Sequence, residues 1–335
     1  MNPAVQAIIT IVIGVGGCIG YFYASNLLLD KVLFPAKGPE AGRNITRANM
    51  IRPWLFLAPA IIALSLYLAY PVFATAWLSL HQQRGVQGAE FVGLANYASM
   101  MAEPKFWESM RNNMMWLIVV PALATMFGLL AAQLTDRIWW GNIAKSLIFM
   151  PMAISFVGAS VIWKLIYDAR PAGQEQIGIL NALYLWFGGT DPQNWLTIPF
   201  WNNFFLMIVL VWIQAGFAMV ILSAALRAIP EETIEAAILD GASPFQVFFK
   251  IKVPQIMGTI VVVWTTITIT VLKVFDIVLA MTNGQWETQV LANYMFDKLF
   301  RANDWGVGSA SAMIIMLLVT PILVWNVYNA RKEMR

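Results

Sequence analysis

Charge is scarce in this sequence. Of its 335 residues 12% are charged and 59% hydrophobic, which excludes a soluble domain of ordinary composition and points to an integral membrane protein. There is one cysteine, Cys18, so no intrachain disulfide framework can form. There is one histidine, His81, so the clusters that hold zinc or iron are missing. A net charge of +3 is small for the length and gives no electrostatic footing for nucleic acid. The phosphate loop GxxxxGK[ST] is absent, as is any Gly-Lys dipeptide, so the chain lacks the usual means of binding ATP. No HExxH, GxSxG or paired-carboxylate motif appears, which argues against an enzyme.

What the chain does have is long apolar runs. They recur near residues 5–29, 54–80, 113–134, 144–167, 203–227, 256–282 and 308–329, giving about seven segments long enough to cross a bilayer. The first is read as a retained helix, because residues 1–10 contain no basic residue and the run exceeds the apolar core of a signal peptide. Gly16 and Gly20 within it form a GxxxG pair that permits close helix contact. Gly14-Val15-Gly16-Gly17 is not a dinucleotide loop, since strand and third-glycine spacing are missing. Residues 30–53 are polar and basic, with Lys31, Lys37, Arg43, Arg47 and Arg52, so this segment is expected in the cytoplasm. The sequon Asn44-Ile45-Thr46 is then out of reach of glycosylation. Alternating the spans puts the N-terminus outside and the C-terminus inside. Counting Lys and Arg supports it: Arg137, Lys145, Arg227, Lys250, Lys252, Arg331, Lys332 and Arg335 join the basic linker inside, against Arg84, Lys105, Arg111, Arg170, Lys298 and Arg301 outside, a bias of about two to one.

Between the fifth and sixth spans lies a polar connector, residues 230–254, PEETIEAAILDGASPFQVFFKIKVP. Its local code is two short helices and a tight turn. Pro230 suits a first helical position, and Glu231 and Glu232 set negative charge against the helix's positive end. Gly241 ends that helix by entering the left-handed conformation. Ser243, Pro244 and Gln246 make a capping box for the second helix, Lys250 and Lys252 sit at its negative end, and Pro254 is expected to stop it. Ala236 and Ala237 add little bulk, so another protein can approach closely.

These residues resemble the EAA loop of ABC importer membrane subunits: Glu235-Ala236-Ala237, then Asp240-Gly241-Ala242, then Ile251 and Val253-Pro254, with Val253 where the family often has Leu. The resemblance implies that this loop is the cytoplasmic coupling helix, with Glu235, Ala236, Ala237, Asp240 and Gly241 meeting a groove on a separate ATPase. Two further stretches are similar to the FxGLxNY and FxxxxxN segments of carbohydrate-type, maltose-like permeases: residues 91–97, and Phe106 to Asn112 with Asn113 following. Their mechanical reading is an aromatic hairpin or interfacial helix capping the bundle. Thr282-Asn283-Gly284 matches the family's Thr-x-Gly-Gly-Pro, but Gln285 and Trp286 replace the last two residues, which leaves the shape of that outer loop open. A surface helix is expected over 177–187 in the outside loop 168–202. The resemblance spans 54–335 and implies an all-α polytopic bundle, a six-helix permease core to which residues 1–53 add one helix and a basic linker.

Polar groups inside spans mark a transport path, because each costs about 2.5 to 3.5 kcal/mol at a helix centre. Trp212, Gln214 and Phe217 in the fifth span, and Thr266, Thr270, Lys273 and Asp276 in the sixth, supply the hydroxyl, amide, charged and aromatic groups a sugar needs. Lys273 and Asp276 have two open roles, direct sugar contact or an ion pair between helices. Trp163 and Lys164 lie near the outer end of the fourth span, where Lys164 is expected to snorkel. The maltose-type resemblance implies an oligosaccharide such as an alpha-glucoside, moved by alternating access. It also implies a second homologous permease, two ATP-binding subunits carrying ATP and Mg, an external sugar-binding protein, surrounding lipid, and no cofactor on this chain. Two other readings stay open, an ion-coupled secondary transporter with Asp276 as its carboxylate, and an importer of a non-sugar solute.

Overall fold

The structure, a computed structural model, describes residues 3–82, 88–136 and 138–333. Arg84, Arg137 and Arg335 of the charge count lie outside the described residues. The chain forms two compact units, Met1–Ala74 and Thr75–Arg335.

In the first unit an apolar helix α1 (Pro3–Leu27) passes through a wide turn at Leu28–Leu33 and meets α2 (Ala41–Leu64). The basic linker is thus largely helical. Its polar groups tie the hairpin together: Arg52 pairs with Asp30 at 2.6 Å, and Tyr21 Oη donates to the Leu55 carbonyl at 2.7 Å. Pro53 and Pro59 lie inside α2, where each removes one backbone donor. A Cβ added to Gly16 or Gly20 would meet nothing within 4 Å, so the face of this glycine pair is open among the described residues. A second wide turn, Ser65–Ala69, leads into α3 (Tyr70–Ser79).

The second unit opens within α3 and continues with a small hairpin, β1 (His81–Gln82) antiparallel to β2 (Glu90–Phe91), with His81 opposite Phe91. Helix α4 (Ala95–Ala102) follows, then the long α5 (Pro104–Thr135). Next come α6 (Gly141–Phe149), a 3-10 turn at Met150–Ala153, α7 (Phe156–Ile166), the surface helix α8 (Ile179–Trp186) and α9 (Trp201–Arg227). The core lies where α5 packs on α9, with Trp116, Val120, Ala124, Leu206, Leu210 and Ile213 buried. Small residues set this spacing. A Cβ on Gly128 would stand 2.4 Å from Ala218 Cβ, and one on Gly216 2.5 Å from the Ile148 carbonyl oxygen, so glycine is required for α9 to approach both α5 and the end of α6.

The chain continues through α10 (Glu231–Leu239), α11 (Pro244–Gln246), a wide turn at Val247–Lys252, α12 (Val253–Gln255), α13 (Met257–Leu272), α14 (Asp276–Met281), α15 (Leu291–Phe296) and α16 (Trp305–Glu333). Among the described residues five helices are long and apolar enough to cross a membrane, or up to seven if each of two bent pairs is one span. The all-helical polytopic class is therefore as expected.

Two spans differ from their straight expectation. The fourth is bent by 106° between α6 and α7, where Pro151 sits in the 3-10 turn and Ser155 caps the new helix by accepting from the Gly158 N–H at 3.1 Å. The sixth begins after a 71° bend and is not continuous to residue 282, because α13 ends at Leu272 and α14 starts at Asp276. The two charges explain the break. Lys273 stands at the negative end of α13 and Asp276 in the first turn of α14, so each complements a helix terminus whose backbone groups have lost their partners.

Candidate functional site

The connector 230–254 folds as its local code requires, with two adjustments. Pro230 is the N-cap and α10 begins at Glu231. Gly241 has φ +80°, the Gly241 N–H bonds to the Ile238 carbonyl and the Ala242 N–H to the Ala237 carbonyl, each at 3.0 Å, which together make a Schellman closure. In the capping box Gln246 N–H donates to Ser243 Oγ at 3.4 Å, and Ser243 N–H to Gln246 Oε1 at 2.8 Å. Pro254 does not stop the second helix, which runs on through Gln255 before the bend. Proline in the first turn of α12 loses no donor the helix needs.

One face of this loop is anchored. Ile229, Val247 and Ile256 are buried, and Lys252, also buried, donates to Gln133 Oε1 of α5 at 3.2 Å. A groove of about 520 Å³ runs between α5 and the loop, lined by Leu130, Leu134, Ile234, Ile238, Phe245 and Phe248 among others. The opposite face is free within this chain. Glu235, Ala236, Asp240 and Gly241 are exposed, Ala237 is half-buried and Leu239 is 87% exposed, while Phe245, on the groove side, is itself 77% exposed. Apolar side chains this accessible beside small residues and carboxylates make a contact surface.

The residues proposed for a transport path are only partly brought together. On α9, Gln214 is buried, Phe217 packs into the core and Trp212 meets Trp163 of α7 edge to face at 5.8 Å. The indole N–H of Trp163 is buried without an acceptor. On α13, Thr266 Oγ1 donates to the Val262 carbonyl at 2.8 Å and Thr270 Oγ1 to the Thr266 carbonyl at 3.1 Å, one turn back along their own helix. Lys273 lines a cavity of about 310 Å³ whose other walls are apolar, Leu272, Phe275, Ala292, Met295 and Phe296 among them. Asp276 opens α14, which packs against α7 and α9. Among the described residues no ion pair joins Lys273 to Asp276.

Two clusters escaped the sequence reading. The loop after α14 has φ between 54° and 71° at Asn283, Gly284, Trp286 and Glu287, a strained run for side chains. Four buried asparagines in the N-terminal parts of α5 and α9 surround it. Asn112 Nδ2 donates to the Glu287 and Gln289 carbonyls at 2.8 Å each, Asn202 to the Trp286 carbonyl at 2.5 Å, and Asn203 to the Glu287 carbonyl at 3.2 Å. Asn113 Oδ1 accepts from the Leu291 N–H at 2.8 Å. The stretches resembling carbohydrate-type permeases thus tie the fold internally: Asn96, too, donates to the Ser79 and His81 carbonyls at 2.9 Å, and Tyr97 Oη to Ser79 Oγ at 2.8 Å. The doublets Asn112-Asn113 and Asn202-Asn203 at the rims of apolar spans were the available signal.

The second cluster centres on Asp136, which caps α5. Its Oδ1 accepts from Lys145 of α6, from Ser223 Oγ at 2.9 Å, and from Arg227 Nε and a terminal guanidinium nitrogen at 3.1 and 2.9 Å. Burial pushes this carboxyl up, but the hydrogen bonds from Lys145, Ser223 and Arg227 and the Lys145 charge outweigh it, so the net shift is downward.

Residues 124–334 match the family model described as binding-protein-dependent transport system inner membrane component. The chain is 65% identical, over 99% of each sequence, to the alpha-glucoside transport system permease protein AglF of Rhizobium meliloti (strain 1021). It is 44% identical, over 84% of this chain and 100% of the relative, to the osmoprotective compounds uptake permease protein GgtC of Synechocystis sp.. Its fold is that of a chain in the crystal structure of a bacterial ABC transporter that imports the acidic polysaccharide alginate, with a TM-score of 0.72 and 19% identity over 88% of this chain and 99% of that one. This chain therefore belongs to the binding-protein-dependent inner membrane components, as a multi-pass permease subunit of an ABC importer in which ATP hydrolysis is the work of a separate subunit.

Proposed function

We propose that this permease imports an alpha-glucoside, working with a second homologous permease, two ATP- and Mg-carrying ATPase subunits and an external sugar-binding protein. The observation that carries the substrate is the 65% identity, along nearly the whole chain, to an alpha-glucoside permease. In this reading the exposed face of α10, with Glu235, Ala236, Ala237, Asp240 and Gly241, docks on the ATPase. The anchored face, held by Lys252 and Gln133, carries its movement into α5. Residues 1–53 act as an added helix and cytoplasmic linker before the core at 54–335.

Sugar passes along Trp212, Gln214, Phe217, Thr266, Thr270, Lys273 and Asp276, half of a path completed by the partner permease. The chemistry supports this set. Trp163 and Trp212 offer aromatic faces for the apolar side of a pyranose, and the unpartnered Trp163 N–H is a donor that a hydroxyl would satisfy. Breaks at α6–α7, α12–α13 and α13–α14 divide the bundle into segments that can rock between outward and inward openings. The N-terminus lies outside and the C-terminus in the cytoplasm, the orientation that places α10 beside the ATPase.

The test is sugar-stimulated ATP hydrolysis and uptake by the reconstituted four-component importer, comparing wild type with Glu235→Lys and Gly241→Asp. Maltose, trehalose and sucrose are expected to stimulate the wild type, and both variants to lose stimulation while still reaching the membrane. Stimulation by an osmoprotectant alone would replace the substrate, and uptake driven by an ion gradient without any ATPase would overturn the reading.

A further inference from the structure

The foot of α9 stands only a few residues before the coupling helix, Arg227 ending α9 and Glu231 opening α10. At that foot α5, α6 and α9 converge on one carboxylate. Asp136 and Lys145 have side chains only 17% and 15% exposed, and Ser223 is buried between them, donating to Asp136 Oδ1 at 2.9 Å and accepting from Lys145 Nζ at 2.6 Å. Arg227, 59% exposed, closes the cluster from the side of the coupling loop. The turn that brings α6 back beside α5 is equally tight: a Cβ on Gly141 would stand 2.0 Å from the Thr135 carbonyl oxygen. One anion thus holds two cations from two other helices, and Lys145 cannot leave without exposing a desolvated charge.

The same helices lead to the transport path. α9 carries Phe217, Gln214 and Trp212 above Arg227. α6 continues through the 106° bend into α7, whose Trp163 meets Trp212. We propose that Asp136 is a positioning residue for energy coupling, fastening the feet of α5, α6 and α9 so that movement of the coupling loop reaches the sugar path instead of being lost in a hinge at residues 228–230. This inference rests on the reading of α10 as the ATPase-docking helix. Charge is essential to it. A neutral side chain of the same shape fills the space but releases both Lys145 and Arg227.

The whole importer, reconstituted in proteoliposomes with maltose, trehalose and sucrose as probes, tests it through two readouts, ATP hydrolysed and sugar imported. In Asp136→Asn the ATPase is expected to stay bound and to hydrolyse ATP, while sugar imported per ATP falls by about fivefold or more. Asp136→Glu keeps a carboxylate facing Lys145 and Arg227 and is expected to keep the ratio within about twofold of wild type. Wild-type coupling in Asp136→Asn would overturn the proposal, as would an Asp136→Glu importer that assembles yet is as uncoupled as Asp136→Asn. If Asp136→Asn does not accumulate, Arg227→Gln, which frees the side of the cluster nearest α10 and leaves the buried pair with Lys145 in place, takes its part with the same two outcomes. Glu235→Lys separates the proposal from its premise. Loss of ATPase binding there, with normal coupling in Asp136→Asn, removes only the role of Asp136, whereas full import by Glu235→Lys removes the docking reading and this inference with it.

Discussion

Asp136 concentrates the electrostatics of the end of the bundle where α5 and α9 finish in one side chain. Because its carboxyl titrates below the ordinary range in the folded protein, its contribution to stability is present above the ordinary carboxylate pKa and is lost as pH falls through the lower folded value. Removing it leaves Lys145 15% exposed with no anion beside it, a loss of about 3 kcal/mol for a largely buried pair. The share of Arg227 is small, since it is mostly exposed. The stability difference between wild type and Asp136→Asn in detergent, followed by thermal unfolding, is therefore expected to be constant from about pH 8 to pH 5 and to shrink only below about pH 4. A difference that vanished near neutrality would mean that the cations do not hold this carboxylate.

Elements in this protein are shaped by what happens at their ends. Helices α10 and α11 of the connector 230–254 are closed by local devices, a glycine in the left-handed conformation and a capping box, and so fold with little help from the bundle. The strained loop over residues 282–289 is the opposite case, since its conformation is supplied by asparagines on other helices. Asn112→Ala would strip the acceptors at Glu287 and Gln289 of their shared donor and cost about 1 to 3 kcal/mol. Hydrogen exchange is the measurement. Amides of residues 283–289 are expected to exchange faster in the variant while those of residues 231–255 keep the wild-type rate, and equal exchange in the loop would show that the clamp does not hold it.

At the scale of the molecule, the bent and interrupted spans matter more than their number. Straight helices packed along their whole length would resist alternating access, and three breaks within one unit give the segments independent ends. Orientation is tested at this scale. In a Cys18→Ser background, Glu232→Cys in α10 and Ala172→Cys in the loop before α8, both exposed, are labelled in intact cells with a membrane-impermeant maleimide. Ala172→Cys is expected to react from outside and Glu232→Cys only after permeabilisation. The reverse pattern would remove α10 from the side where ATP is available.

The amino-acid order by itself determined the membrane class, the number of apolar runs and the closure of the connector 230–254. Each depends on residues a few positions apart: a run of apolar side chains, Gly241 after α10, Ser243 with Gln246. Local codes survive without knowledge of the fold because backbone donors and acceptors are satisfied within one turn. Even there Pro254 misled, since a proline that ends one helix also fits the first turn of the next. Only the tertiary structure decided that Lys273 and Asp276 stand at two different helix ends with no ion pair between them among the described residues, that Asn112 reaches across 177 positions to Gln289, and that Lys145 and Ser223, 78 positions apart, share one carboxylate. The reason is the membrane setting. Inside a bilayer-spanning bundle a polar group must find a partner wherever packing brings one, and no spacing in the sequence states which helix that is.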